Sequence, residues 1–109
     1  MKSSDIMVVT TENVMGKQVT EVKGLVRGNT IRARHIGRDI GAVFKNIIGG
    51  EIKDYTKMMA ESREQALDRM REEAASLGAN AVVMTRFSTS SMMQNAAELL
   101  CYGTAVVVK

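Results

Sequence analysis

Asp54-Tyr-Thr-Lys-Met-Met-Ala-Glu-Ser-Arg-Glu-Gln-Ala-Leu-Asp-Arg-Met-Arg-Glu-Glu-Ala-Ala-Ser-Leu77, followed by Gly78, carries the hydrophobic period on which the fold turns. Tyr55, Met59, Ser62, Ala66, Met70, Ala74 and Leu77 recur every three or four residues, so they share one face of an α-helix. Lys57, Glu61, Glu64, Asp68, Arg71 and Glu72 populate the opposite side. Gly78 stands where a left-handed cap closes such a helix. At 1.5 Å per residue the helix is about 36 Å long. A compact chain of this size has a radius of gyration of about 13 Å, so the helix spans the whole subunit. It needs a broad sheet beneath it or a neighbouring subunit beside it.

The segments around the helix read as strands. Met7-Val-Val-Thr-Thr11 is a short one, and Gln18 to Arg27 is β-prone with Gly24 in its middle, a position that suggests a bulge or a close backbone approach. Asn29 to Arg34 continues that strand after Gly28 and places Thr30, Arg32 and Arg34 on one face. In Ala81 to Thr89, alternation sets Ala81, Val83, Thr85 and Phe87 against Val82, Met84 and Arg86. Leu99 to Val108 is apolar on both faces, as a central or interface strand is. Ser88 to Asn95 reads as a polar strand end and loop, with a helical turn near Asn95 to Glu98 as the alternative. A short helix is expected from Arg38 or Asp39 to Ile48, since Ile40, Val43, Phe44, Ile47 and Ile48 share a face and Gly49-Gly50 stops it.

At 109 residues this is a single domain, with residues 1–6 expected to be flexible. The longest apolar runs, such as Ala105 to Val108, fall far short of the roughly 20 residues that span a bilayer. The N-terminus lacks the apolar stretch of a secretory signal. One cysteine, Cys101, cannot build an intramolecular disulfide framework. A cytoplasmic location is the resulting expectation.

Charge is unevenly spread. Residues 17–57 hold nine basic and four acidic groups, while the segments on either side are each slightly acidic. Arg27, Arg32, Arg34, His35 and Arg38 fall within twelve residues that contain no acid. Guanidinium groups bind phosphate or carboxylate in bidentate fashion, so Arg32, Arg34, His35 and Arg38 are the candidate ligand-binding residues for a small anion. The competing reading is that these arginines pair with Glu51 or Asp54, meet a neighbouring subunit, or face water. No Walker pattern or dinucleotide fingerprint accompanies them. Aromatic platforms beside the basic groups are lacking, which disfavours a nucleic-acid binder.

His35 and Cys101 are the strongest soft-metal ligands, with nine methionines as further sulfur donors. One chain cannot supply a four-ligand zinc site from them, but a symmetric oligomer can share ligands between subunits. The methionines fit better as core and interface fillers. No nucleophile motif surrounds His35 or the serines at 88, 90 and 91, so no catalytic residue is expected and no cofactor is implied.

Gly24-Leu-Val-Arg-Gly-Asn-Thr-Ile-Arg-Ala-Arg-His-Ile-Gly-Arg-Asp-Ile, Ile48 through Tyr55-Thr, Ala60 through Ala66, Leu77-Gly-Ala-Asn-Ala-Val-Val and Tyr102-Gly-Thr-Ala-Val together resemble the YbjQ family of small bacterial proteins, over nearly the whole chain from about Met7. That family is uncharacterised and sometimes labelled heavy-metal-binding. The resemblance implies an α+β fold, with a long helix packed on an antiparallel sheet as in the dodecin subunit. It also implies a ring-shaped homo-oligomer, a pentamer. The combined expectation is a non-enzymatic oligomeric binding or scaffold protein whose ligand is an anion or another small molecule. The alternative is a heavy-metal binder with ligands shared between subunits.

Overall fold

The sheet that the long helix needs is present. A computed structural model describes residues 2–33, 52–93 and 96–109. A 3-10 turn at Ser3–Asp5 leads to strand β1 (Met7–Val8), then β2 (Val19–Ala33), helix α1 (Ile52–Ser76), β3 (Ala81–Met93) and β4 (Ala96–Val108). The four strands form one sheet in the order β1-β3-β4-β2. β4 is central, antiparallel to both β2 and β3. This is the α+β architecture expected, with one correction: β1 runs parallel to β3, pairing Met7 with Ala81 and Val8 with Val82, so the sheet is mixed rather than antiparallel. A two-residue edge strand has too little sequence to announce its direction. Ser3–Asp5 form the 3-10 turn, and Ile6 after it is buried in the core.

The helix stripe does what its period implies. Ser62, Ala66, Met70 and Ala74 are buried, and Met59 packs partly against the same core. They meet Val26 of β2, Val82 of β3, and Leu99, Cys101 and Ala105 of β4. Leu77 departs from the stripe: the helix ends at Ser76, and Leu77 is largely exposed. Gly78 takes the left-handed cap conformation at φ 82°. Asn80 then ties this turn to the end of β4, since its Nδ2 donates to the Val108 carbonyl and its Oδ1 accepts from the Val108 N–H, both at 2.8 Å.

Two glycines solve specific problems. β2 has register shifts between Val19 and Glu21 and between Val22 and Gly24, and Gly24 sits at φ 119°, so of its two expected roles it takes the bulge and not the close approach. Gly28 is the close approach. A Cβ there would lie 2.1 Å from the Ala66 carbonyl oxygen and 2.5 Å from the Met70 nitrogen, so the helix backbone rests directly on the strand.

β3 breaks the alternation read from its sequence. Met84 adopts φ 56°, and register is lost between Val83 and Arg86. Before the bulge, Val82 faces the helix while Ala81 and Val83 join Val14, Val106 and Val108 in a second cluster on the opposite face. After it, Phe87 pairs with Cys101 on the helix side, and Arg86 pairs with Tyr102 on the other. Ala81, Val83, Thr85 and Phe87 therefore do not share one face. The serine-rich stretch continues as strand through Met93 instead of looping, and β4 begins at Ala96, so no helical turn follows there. Hydroxyl-bearing residues suit a strand whose inner edge is paired with β4 and whose side chains meet water. The helix expected near residues 38–48 lies outside the described residues.

Candidate functional site

The first arginine of the basic stretch is the best-defined one. Arg27 projects from β2 on the face away from the helix, and its cross-strand partner on β4 is Tyr102. Tyr102 pairs on its other side with Arg86 of β3. One transverse row thus reads Arg27, Tyr102, Arg86. The Arg86 guanidinium is held by the carbonyls of Thr10 (3.0 Å) and Thr85 (2.8 Å), because the segment after β1 runs along the edge of β3. In the next rows, Leu25 pairs with Thr104 and Ile31 with Glu98, while Asn29 Nδ2 donates to the Glu98 carboxylate at 3.1 Å.

This face is uncovered over its distal half. Val14 and its neighbours shield Val83, Val106 and Val108, but nothing among the described residues lies over Leu25 (63% exposed), Ile31 (55%) or Tyr102 (37%). The molecule measures 52 × 23 × 21 Å with a radius of gyration of 17.0 Å, well above the roughly 13 Å of a compact chain this long. Long strands covered on one side by helix α1 leave apolar surface that no described residue buries. Alternation in β2 around Leu25 and Ile31 was the available signal for this face. The basic residues interleaved there drew attention to charge instead.

Of the sequence-predicted ligand residues, Arg32 lies in β2 in register with Ala97. Arg34, His35 and Arg38 lie outside the described residues. Glu51 is likewise outside them. Cys101 is placed firmly: it is fully buried beneath the helix, with its thiol 3.6 Å from the Met70 sulfur. Burial pushes the thiol up to about 11, partly offset by the positive charge of Arg71. A thiol this protonated is a poor soft-metal ligand at neutral pH, since the thiolate is what binds. It also faces its own subunit's core and has no exposed surface. Among the described residues no group of three or more His, Cys, Asp or Glu is placed to hold a metal ion.

The thiol carries a pH signature. Its folded value lies above the ordinary 9.0, so the unfolded chain releases the proton first as pH rises. Stability that is intact below pH 9 is therefore lost between pH 9 and about 11. The loss is roughly 2–3 kcal/mol for a shift of about two units. Urea unfolding at stepped pH should show this decline in the native protein and a shallower one in Cys101→Ala, whose remaining slope comes from other groups.

A family described as "putative heavy-metal-binding", the YbjQ family, matches residues 6–109. The chain belongs to the YbjQ family. A UPF0145 protein of Thermococcus kodakarensis is 59% identical over 95% of this chain and 92% of its own length. One from Clostridioides difficile is 56% identical, covering 95% and 93% respectively. A crystallised protein of unknown function from Pediococcus pentosaceus, assigned to the DUF74 family, superposes with a TM-score of 0.65 at 13% identity, over 95% of this chain and 98% of that one. This last likeness concerns the fold alone. No helix of this YbjQ-family protein, among the described residues, is long and apolar enough to cross a membrane.

Proposed function

We propose that this YbjQ-family protein is a cytoplasmic, non-catalytic homo-oligomer, a ring of five copies acting as a binding or scaffold protein, in which copies cover one another's open sheet faces. One observation carries the reading: Leu25, Ile31 and Tyr102 are exposed together on a face that no described residue covers. Exposed apolar surface rimmed by polar groups marks interaction sites, and tyrosine and arginine are enriched where interfaces gain most of their energy. Arg27 and Arg86 flank Tyr102 in this way. The arginine-rich segment with Arg32, Arg34, His35 and Arg38 then supplies the anion-binding element of the assembled ring.

Sedimentation equilibrium tests the assembly. The native protein is expected at five times the subunit mass of 11.9 kDa. The double variant Leu25→Glu, Ile31→Glu is expected as a folded monomer, because both side chains already lie largely in water in the single chain. A native protein that sediments as a monomer at micromolar concentration would sink the reading.

The family description favours a second reading, heavy-metal binding with ligands shared between subunits. With Cys101 sealed in the core, that reading rests on His35 and on groups other than this thiol. Elemental analysis of tag-free oligomer separates the two readings. Stoichiometric soft metal that is lost in His35→Ala establishes the metal reading, and its absence leaves the anion reading in place.

A further inference from the structure

The bulge in β3 leaves three local conflicts. Met84 is the one non-glycine residue at positive φ among the described residues, at 56°, a region that side-chain-bearing residues rarely occupy. Its apolar side chain is 41% exposed. Thr85 is only 3% exposed, and its hydroxyl has no hydrogen-bond partner among the described residues. That hydroxyl lies on the helix side, 3.2 Å from where a Cβ on Gly103 would sit. A buried hydroxyl without a partner is destabilising.

All three conflicts disappear in the pairing that lacks the bulge. Ala81 with Val106, Val82 with Ala105 and Val83 with Thr104 set the register before it. Continuing that register places Met84 opposite Gly103, Thr85 opposite Tyr102, Arg86 opposite Cys101 and Phe87 opposite Leu100. Met84 then takes extended backbone and turns to the helix side, while the Thr85 hydroxyl reaches the open face. Ala81, Val83, Thr85 and Phe87 share one face, which is the alternation carried by the amino-acid sequence. The extra residue passes along the strand to the irregularity already present between Ser91 and Met93.

Between the two irregularities the side chains hardly distinguish the two registers. Every residue from Arg86 to Ser91 is exposed, and the helix rests on β2 and β4 far more than on β3. Ser88, Thr89, Ser90 and Ser91 make both faces polar, and a strand with two polar faces specifies its register weakly. What favours the bulged form is a set of bonds at its edge. Arg86 donates to the Thr10 and Thr85 carbonyls, and the Met84 and Thr85 N–H groups donate to the carbonyls of Thr11 and Val9. Arg86 is thus the latch of the bulged form.

We infer that β3 beyond Val83 is a two-register switch, in which the bulged pairing exchanges with a slipped pairing one residue away inside the folded chain. The slip changes what the open face presents beside Tyr102: Arg86 leaves it, and Thr85 and Phe87 arrive. It takes place within one chain and does not depend on the self-association proposed above.

Cross-strand NOEs in the native protein are expected to join Phe87 with Cys101. In Met84→Ile they are expected to join Phe87 with Leu100 and Thr85 with Tyr102, because a β-branched side chain is excluded from positive φ. A folded Met84→Ile protein that keeps Phe87 against Cys101 overturns the switch. Should that variant fail to fold, relaxation dispersion on the native protein decides, since collective motions of this size occur over microseconds to milliseconds. Exchange confined to residues 84–91 and their partners on β4 is expected. Met84→Gly, which accepts positive φ freely, is expected to lower the slipped population by about fivefold or more. Flat dispersion across these residues, or exchange that Met84→Gly leaves unchanged, refutes the inference.

Discussion

Gly28→Ala is expected to be the most damaging glycine-to-alanine change among the described residues. The added Cβ would meet the Ala66 carbonyl oxygen at 2.1 Å, the Met70 nitrogen at 2.5 Å and the Arg69 Cβ at 2.8 Å. Two of these three are backbone atoms of the helix, so no side chain can rotate to make room. The helix must lift as a unit, and lifting it parts Ala66, Met70 and Ala74 from Val26 and Cys101. Overpacking typically costs 1–3 kcal/mol and more where nothing can yield, so about 3 kcal/mol or more is expected here. Thermal unfolding should fall by roughly 12 °C or further, at the usual conversion for a domain of this size. A melting temperature within about 3 °C of native would show that the helix does not rest on this strand.

Met70→Ala is expected to follow closely. Met70 is among the largest fully buried side chains and touches the Cys101 sulfur. Truncation removes three heavy atoms from the centre of the helix–sheet contact. Large-to-small changes of this kind cost about 2–5 kcal/mol, depending on how far the site collapses. The buried cluster that holds Met70 is mostly short groups, four alanines, Val26, Val82 and Cys101, beside Ile6 and Leu99, so little of it reaches far enough to fill a void. A value in the upper half of that range is therefore expected. Urea titration should show a lower midpoint with an unchanged slope, and Met70→Leu should recover most of the loss because volume is conserved.

Both effects come from a contact that was only half legible in the residues. The spacing of Met59, Ser62, Ala66, Met70 and Ala74 identified the buried face of the helix, because a period of 3.6 is a local property of the chain. Gly24 read as a bulge or a close backbone approach, and the register shift makes it the bulge. Gly28, four residues on and just as featureless in sequence, proved to be the crossing point. Nothing local distinguishes a glycine that relieves φ from one that makes room for another element's backbone.

The site shows the same division. The arginine cluster was conspicuous because charge is visible residue by residue. Of its described members, Arg27 flanks Tyr102 on an open sheet face and Arg32 lies further along β2, opposite Ala97. Cys101, paired with His35 on chemistry alone, lies in the core against Met70. Whether a thiol is sealed or accessible depends on which strand is central and which face the helix covers.

The amino-acid sequence by itself determined the long helix and its capping Gly78, the apolar two-sided β4, and membership of the family. Each follows from local period, local backbone preference or residue identity. Only the tertiary structure decided that β1 runs parallel to β3 and that a bulge at Met84 puts Phe87 on the face of Val82 and Arg86 on the face of Val83. It also decided that Gly28 carries the helix, that Cys101 is enclosed, and that Leu25, Ile31 and Tyr102 are left uncovered. These outcomes depend on which strands pair and which face is shielded. Both are settled by contacts between residues far apart in the chain, where the total burial and hydrogen bonding of the whole sheet outweigh any local preference.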